Sequence, residues 1–211
     1  MAIRKYSLKL DGDRYIFPHF KGREFACHDG SDTFYVDDAL GDLLEKIRAH
    51  FGGATVVINS SYRNAAYNAK IGGAPGSQHT LGKAADIVIR GASPTEVAEA
   101  AEYFLGKTGG IGLYTASKFT HVDTRKVQSR WYEKKNGVTA VRGNFSIDSV
   151  KKRLEANKEV VETSKVIVNG KEVPVQRILK DGTNYVKIRD IANALNMEIS
   201  SNGSIPVLKT K

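Results

Sequence analysis

The sequence predicts an α+β protein: a small domain built on an antiparallel sheet flanked by helices, followed by a smaller α+β module. Three observations predict it. Short β-branched or alternating runs of strand length (54–59, 84–90, 109–114 and 119–125) are interspersed with two amphipathic segments of helix length (37–51 and 93–105). Dense Gly and Pro at 72–76 break the chain between them. Beyond Trp131 the pattern changes to a charged stretch and then to a hairpin signal, which divides the chain into a domain at 1–140, a connector at 141–164 and a second module at 165–211.

The elements follow in order. In 37–51, Leu40, Leu43, Leu44, Ile47 and Phe51 recur at helical spacing behind an acidic start that suits the helix dipole, and Gly52-Gly53 ends the helix. Ala54–Asn59 reads as a buried strand, Tyr62–Lys70 as a short helix, Gly72–Gly76 as a loop and Ala84–Arg90 as a strand. Ser93-Pro94-Thr95-Glu96 has the cap, first-turn proline and acidic residue of a helix start, and Gly106 stops that helix after Leu105. Gly109–Tyr114 and Phe119–Arg125 are strands joined by a short turn, and 134–137 is a further turn. Asp148–Thr163 has helical character. Asn169-Gly170, between Lys165–Val168 and Lys171–Val175, supplies the positive φ angles of a tight hairpin turn. A strand at Tyr185–Lys187, a helix at Arg189–Leu195 with Ile188, Ile191, Ala192 and Leu195 inward, and a strand at Ile205–Leu208 complete the module.

Composition bounds the function. With 211 residues, 41% hydrophobic and 26% charged, the chain has the make-up of a folded protein, neither disordered nor collagen-like. The single cysteine, Cys27, excludes an intrachain disulfide framework and an all-cysteine zinc cluster, and beside His28 it reads as a buried thiol. The N-terminal stretch lacks an apolar signal-peptide core, and no apolar run approaches the about 20 residues of a membrane span. The expectation is a protein made in the cytoplasm without a transmembrane segment. The net charge of +9 is spread, +4 over 1–140 and +5 over 141–211, which fits general attraction to polyanions, cell-wall polymers included, and no specific nucleic-acid reading.

Two segments concentrate metal-binding residue types. In 77–86, His79 precedes Asp86 by seven positions, and Asp86 sits inside the apolar run Ala84–Ile89, where a buried carboxylate needs a partner. In 119–125, alternation puts Phe119, His121, Asp123 and Arg125 on one strand face. Either histidine alone reads as an ordinary hydrogen-bonded residue. If the strands of Asp86 and His121 are neighbours, two imidazoles and one carboxylate converge, a set that leaves zinc an open catalytic position.

Ser61-Tyr62-Arg63, Asn68, Gly72-Gly73, Ser77-x-His79-x-x-Gly82-x-Ala84-x-Asp86, Gly112-x-Tyr114 and Phe119-x-His121-Val122-Asp123 resemble the M15 family of zinc peptidases. The likeness is to the branch of small D-alanyl-D-alanine carboxypeptidases and phage or prophage endolysins, and it runs from about Phe20 to Trp131. It implies His79, Asp86 and His121 as zinc ligands and Arg63 as the cation that holds a substrate oxygen, the alternative for Arg63 being an ordinary ion pair. Ser77, Gln78 and Tyr62 are its candidate substrate-binding residues, with Ser77 alternatively fixing the loop. Many relatives carry an acidic general base three positions before the last histidine, where this chain has Lys118. Asp123 is therefore the candidate general base, and its alternative is to orient His121 or pair with Arg125.

The tail, with Val168-Asn169-Gly170-Lys171-Glu172-Val173 and Ile178–Leu195, resembles the copper amine oxidase N-terminal-like stalk domain, and residues 141–211 contain no His or Cys with which to bind copper. The resemblance implies wall attachment, against a plain stabilising or dimerising module. Together the two likenesses imply a zinc peptidase hydrolysing an amide bond of peptidoglycan, released to the wall as a phage lysin is. The cut is a terminal D-alanine removal, an L-alanyl-D-glutamate cut or a crosslink cut. The rival is a non-catalytic wall-binding or virion protein that keeps the metal fold, with Lys118 as its main support.

Overall fold

The computed structural model describes residues 2–141, 143–156, 161–180, 183–202 and 205–210. It is a mixed α+β structure that divides into two compact units, Met1–Arg153 and Leu154–Lys211.

The first unit begins with β1 (Ile3–Ser7), a one-turn α1 (Leu8–Asp11), β2 (Tyr15–Phe17), β3 (Phe20–Lys21) and β4 (Thr33–Asp37). β1 pairs with β4 and β2 with β3 in two antiparallel ribbons. There follow α2 (Asp38–His50), β5 (Val56–Ser60), α3 (Ala65–Lys70), β6 (Ala84–Ile89), α4 (Pro94–Leu105), β7 (Gly110–Tyr114), β8 (Phe119–Asp123), β9 (Ser129–Lys134), β10 (Gly137–Ala140) and α5 (Asp148–Ala156), the last of which the unit contains through Arg153. β5 to β10 form one sheet in the order β10-β9-β7-β8-β6-β5, antiparallel except for the parallel pair β7–β9.

The caps are those the sequence signals. Asp37 caps α2 by accepting a hydrogen bond from the Ala39 amide at 3.1 Å. At α4, Ser93 and Glu96 form a reciprocal capping box with Pro94 in the first turn. The two helices pack on each other, α4 also on β7 and β8, and so cover one face of the sheet. Leu40, Leu44 and Ile47 of α2 and Val97 of α4 are buried there against Ile87, Ile89, Ile111 and Val122. Because strand side chains alternate, filling this face with apolar residues turns Asp86, Gly110, Gly112, His121 and Asp123 to the other. The hydrophobic core thereby fixes which face carries the chemistry.

The second unit contains the sheet β11 (Val161–Val168), β12 (Lys171–Lys180) and β13 (Thr183–Val186), then α6 (Ile188–Ala194) and the ribbon β14 (Met197–Asn202) with β15 (Ile205–Thr210). Asn169 and Gly170 turn the first hairpin at φ 50° and 77°. Two expectations are corrected. The charged stretch 148–163 is not one helix: α5 stops at Ala156 and β11 starts at Val161, where Val161 and Thr163 pair with Ile178 and Gln176 and β-branched propensity prevails, while 157–160 lie outside the described residues. In α6 Ala192 is the buried residue, while Ile188 and Leu195 remain 39% and 38% exposed, since a unit this small cannot cover a whole helix face. Among the described residues no helix is long and apolar enough to cross a membrane.

One buried ion pair fastens β9 beneath α4. Arg130 donates from Nε and Nη2 to Glu102 at 2.5 and 3.0 Å, and to the carbonyls of Gly106 and Gly109 at 2.9 and 2.7 Å. Both side chains are almost wholly buried. Arg130→Met leaves the Glu102 carboxylate uncompensated and is expected to cost about 3–5 kcal/mol. Urea unfolding followed by circular dichroism checks this, and a loss below about 1 kcal/mol would contradict it.

Candidate metal centre and substrate cavity

The register of the sheet assembles the site. Asp86 on β6 lies opposite His121 on β8, and Gly112 on β7 lies opposite the same histidine and opposite Trp131 on β9. Gly112 lets two large rings meet: a Cβ there would fall 2.4 Å from the Trp131 indole nitrogen, and the His121 and Trp131 rings are 5.0 Å apart. His79 comes from the loop, on a 3₁₀ turn at Gln78–Leu81 that Ser77 caps. The Arg63 amide, hydrogen-bonded to the His79 carbonyl at 3.2 Å, ties that turn to the end of β5.

Three atoms converge. His79 Nε2 is 3.3 Å from Asp86 Oδ1, His121 Nδ1 is 2.9 Å from the same oxygen, and the two nitrogens are 3.2 Å apart. The outer nitrogens decide what these atoms are. His79 Nδ1 meets the Ser61 carbonyl oxygen at 2.6 Å, and His121 Nε2 meets Asp123 Oδ2 at 3.1 Å. A carbonyl and an ionised carboxylate only accept, so both outer nitrogens carry hydrogen, and in the neutral rings the inner nitrogens are bare lone pairs. Two lone pairs and a carboxylate oxygen facing one another repel unless a cation lies between them. Bonds of about 2.0–2.1 Å at tetrahedral angles place donors about 3.3 Å apart, close to the 2.9–3.3 Å found here, so the residues fit a divalent metal. The three are buried, and they form the one His/Cys/Asp/Glu cluster of metal-binding geometry among the described residues.

Burial opposes ionisation of Asp86, but its interactions with the His121 and His79 imidazoles prevail and hold its carboxyl well below the usual range. Burial also opposes charge on His121, and its hydrogen bonds to Asp123 and Asp86 overcome this to raise its pKa to about 8. His79 is lowered, burial outweighing its contact with Asp86.

Asp123 is placed differently from its expected role as general base. Its wholly buried carboxylate accepts from the amides of Gly110 and Arg125 at 2.9 and 3.0 Å, from Arg125 Nε and Nη2 at 2.8 and 2.6 Å, and from His121 on the side away from His79 and Asp86. It does not line the cavity. Sharing a strand face with His121 brings the carboxylate to the rear nitrogen of the ring, not to its front. This is the arrangement of a group that orients His121 and pairs with Arg125. Gly110 makes room for it, since a Cβ there would lie 2.1 Å from Asp123 Oδ2.

A cavity of about 640 Å³ opens over the cluster. Arg63 lines it, with Nη2 on Asp86 Oδ2 at 2.7 Å and Nε on Ser60 Oγ at 2.9 Å. Ser77 and Gln78 line it too, Ser77 also capping the His79 turn. Tyr62 is not brought there: its ring packs on Tyr35 at 5.5 Å and against the core. Lys118 is exposed in the β7–β8 turn at φ 60° and also lies outside the cavity. The lining adds residues that sequence reasoning did not assign to the site. Trp131 donates its indole N–H to the Tyr114 hydroxyl at 3.0 Å, Tyr114 stacks on Phe119 at 4.3 Å, and Arg125 completes the wall. The one signal for Trp131 was the glycine at 112, and it is readable only once β9 is known to run beside β7.

The sequence pattern of the Peptidase M15 family matches residues 18–123. Over 101 residues the chain is 37% identical to a Haemophilus influenzae protein named "Probable peptidoglycan L,D-endopeptidase MepK", covering 44% of this chain and 53% of that protein. The chain thus spans about half the length of this curated relative.

Asp123→Asn is expected to weaken metal affinity about 10- to 100-fold, the usual effect of loosening a group that orients a ligand. Competition with a chromogenic chelator measures it. Unchanged affinity would show that the rear carboxylate does not set the His121 tautomer.

Proposed function

The chain belongs to the Peptidase M15 family of metallopeptidases, and on that premise we propose that it is a zinc-dependent hydrolase of an amide bond in the peptide part of peptidoglycan. The observation that carries the reading is the convergence of His79 Nε2, Asp86 Oδ1 and His121 Nδ1 as three acceptors around one point. Two imidazoles and a carboxylate suit zinc among the common divalent ions and leave it a position free of protein ligands. When bound, zinc supplies Lewis-acid polarisation of a carbonyl and lowers the pKa of water toward about 7.

The remaining work falls to the chain's own groups. Arg63, anchored by Ser60 and Asp86, holds a planar donor at the cavity wall, suited to an amide oxygen that gains charge during attack. The Tyr114 hydroxyl accepts from Trp131, so its own proton is directed to another acceptor. Asp123 keeps the His121 ring in the tautomer that presents Nδ1. Trp131, Phe119 and Tyr114 give the cavity apolar walls on which a peptide chain lies.

Peptidoglycan as substrate is supported by the relative's name, as is an endopeptidase cut over removal of a terminal residue. The likeness of the tail to a stalk domain supports attachment to the wall, and the likeness of the first domain to phage lysins supports action there. The rival non-catalytic reading rests on Lys118 standing where relatives carry an acidic base, with Asp86 the one carboxylate in the lining, and it expects no products in the digestion below.

Digestion of purified peptidoglycan by the full chain, followed by mass spectrometry, tests the proposal. Cleaved stem peptides or crosslinks are expected, with activity lost on exhaustive chelation and restored by zinc, and the product masses assign the bond. No products from zinc-loaded protein, or activity that survives removal of all metal, would overturn the reading.

A further inference from the structure

Arg125 is a second arginine in the cavity wall, and the metal site does not account for all of it. Its Nε and Nη2 fork onto Asp123, and its guanidinium lies over the Trp131 ring, 5.5 Å from the centroid. Arg63 is held in a parallel way, by Nε to Ser60 and Nη2 to Asp86. In both, Nη1 makes no hydrogen bond among the described residues, although both side chains line one cavity. Arg125 is the more open, 31% exposed against 14% for Arg63.

Orienting Asp123 does not require that surface. The carboxylate is also gripped by the Gly110 amide, the Arg125 amide and His121, so a guanidinium buried behind it would serve as well. Instead the guanidinium is fixed by Asp123 and by the Trp131 ring and still lines the cavity. The lining contains a single carboxylate, Asp86, which is already committed to Arg63 and the histidines. Such a wall has unspent donors and no unspent acid. Arginine is the side chain suited to planar recognition of a carboxylate, and a stacked, pre-oriented one loses little entropy on binding.

We propose that Arg125 is the anchor for a free carboxylate on the substrate peptide beside the scissile amide, so that the enzyme selects acidic peptides over their carboxamides. This rests on the peptidase reading above and names the substrate chemistry it favours. The cavity volume of about 640 Å³ admits a few residues, so the anchored carboxylate belongs to the residue that contributes to the cut bond or to its neighbour.

The test uses the zinc-loaded full chain and the stem tetrapeptide L-alanyl-γ-D-glutamyl-meso-diaminopimelyl-D-alanine, together with three forms carrying one carboxamide each, on the glutamyl, the diaminopimelyl or the C-terminal carboxyl. Titration calorimetry is expected to show one amidated form binding about 10- to 100-fold more weakly than the free acid, the range of a charge-assisted hydrogen-bond pair, and thereby to identify the carboxylate. In Arg125→Gln that ratio falls toward one, while Arg125→Lys retains part of it. Metal content is measured for each variant, and because the readout is a ratio between peptides on one protein, loosening of Asp123 affects both peptides alike. All forms binding alike to the parent protein, or the ratio persisting in Arg125→Gln, would overturn the proposal. If the parent protein binds with this ratio but hydrolyses no peptidoglycan, the peptidase reading fails and the carboxylate site stands.

Discussion

Three hydrogen-bond acceptors meet at one buried point, and the rest of the catalytic face is organised around that otherwise unfavourable meeting. His79 Nε2, Asp86 Oδ1 and His121 Nδ1 are separated by 2.9 to 3.3 Å with no donor of their own among them once the rings are neutral. The Ser61 carbonyl and the Asp123 carboxylate enforce this by fixing the proton on the far nitrogen of each ring. Without a cation the arrangement is strained electrostatically. With a divalent ion the same contacts become coordination.

The two faces of the sheet divide the work. The helix-covered face holds Ile87, Ile111 and Val122 and supplies stability, and its packing turns their strand neighbours Asp86, Gly112 and His121 outward. The buried Arg130–Glu102 pair locks β9 against α4, which in turn sets the position of Trp131, one residue along and on the opposite face. A wall residue of the cavity is thus placed by an ion pair on the other side of the sheet. Gly110 and Gly112 are the openings that let Asp123 and Trp131 approach from neighbouring strands.

Much of this was legible in the sequence, for physical reasons. Helix caps such as Ser93-Pro94-Thr95-Glu96 and the Asn169-Gly170 turn are local chemistry and need no tertiary knowledge. The meeting of Asp86 with His121 was readable because an acidic residue inside an apolar strand needs a partner, and strand alternation limits where one can be. Other features depend on long-range pairing, which spacing does not reveal. Trp131 enters the cavity because β9 runs parallel to β7, and no local signal announces a parallel neighbour. Asp123 shares a strand face with His121, but which ring nitrogen it meets depends on a rotamer set by Gly110 and Arg125. Tyr62 adjoins Arg63 in sequence yet packs on Tyr35, a partner that only the folded chain brings beside it. The helical character read into 148–163 extended too far because charge pattern does not mark where β-branched residues begin to pair across a hairpin.

Which histidine nitrogens face the ion is measured directly by nuclear magnetic resonance of the ¹⁵N-histidine-labelled protein loaded with ¹¹³Cd. Cadmium coupling to Nε2 of His79 and Nδ1 of His121, with hydrogen retained on the opposite nitrogens, is the predicted result. Coupling through Nε2 of His121, or no coupling to either ring, would contradict it.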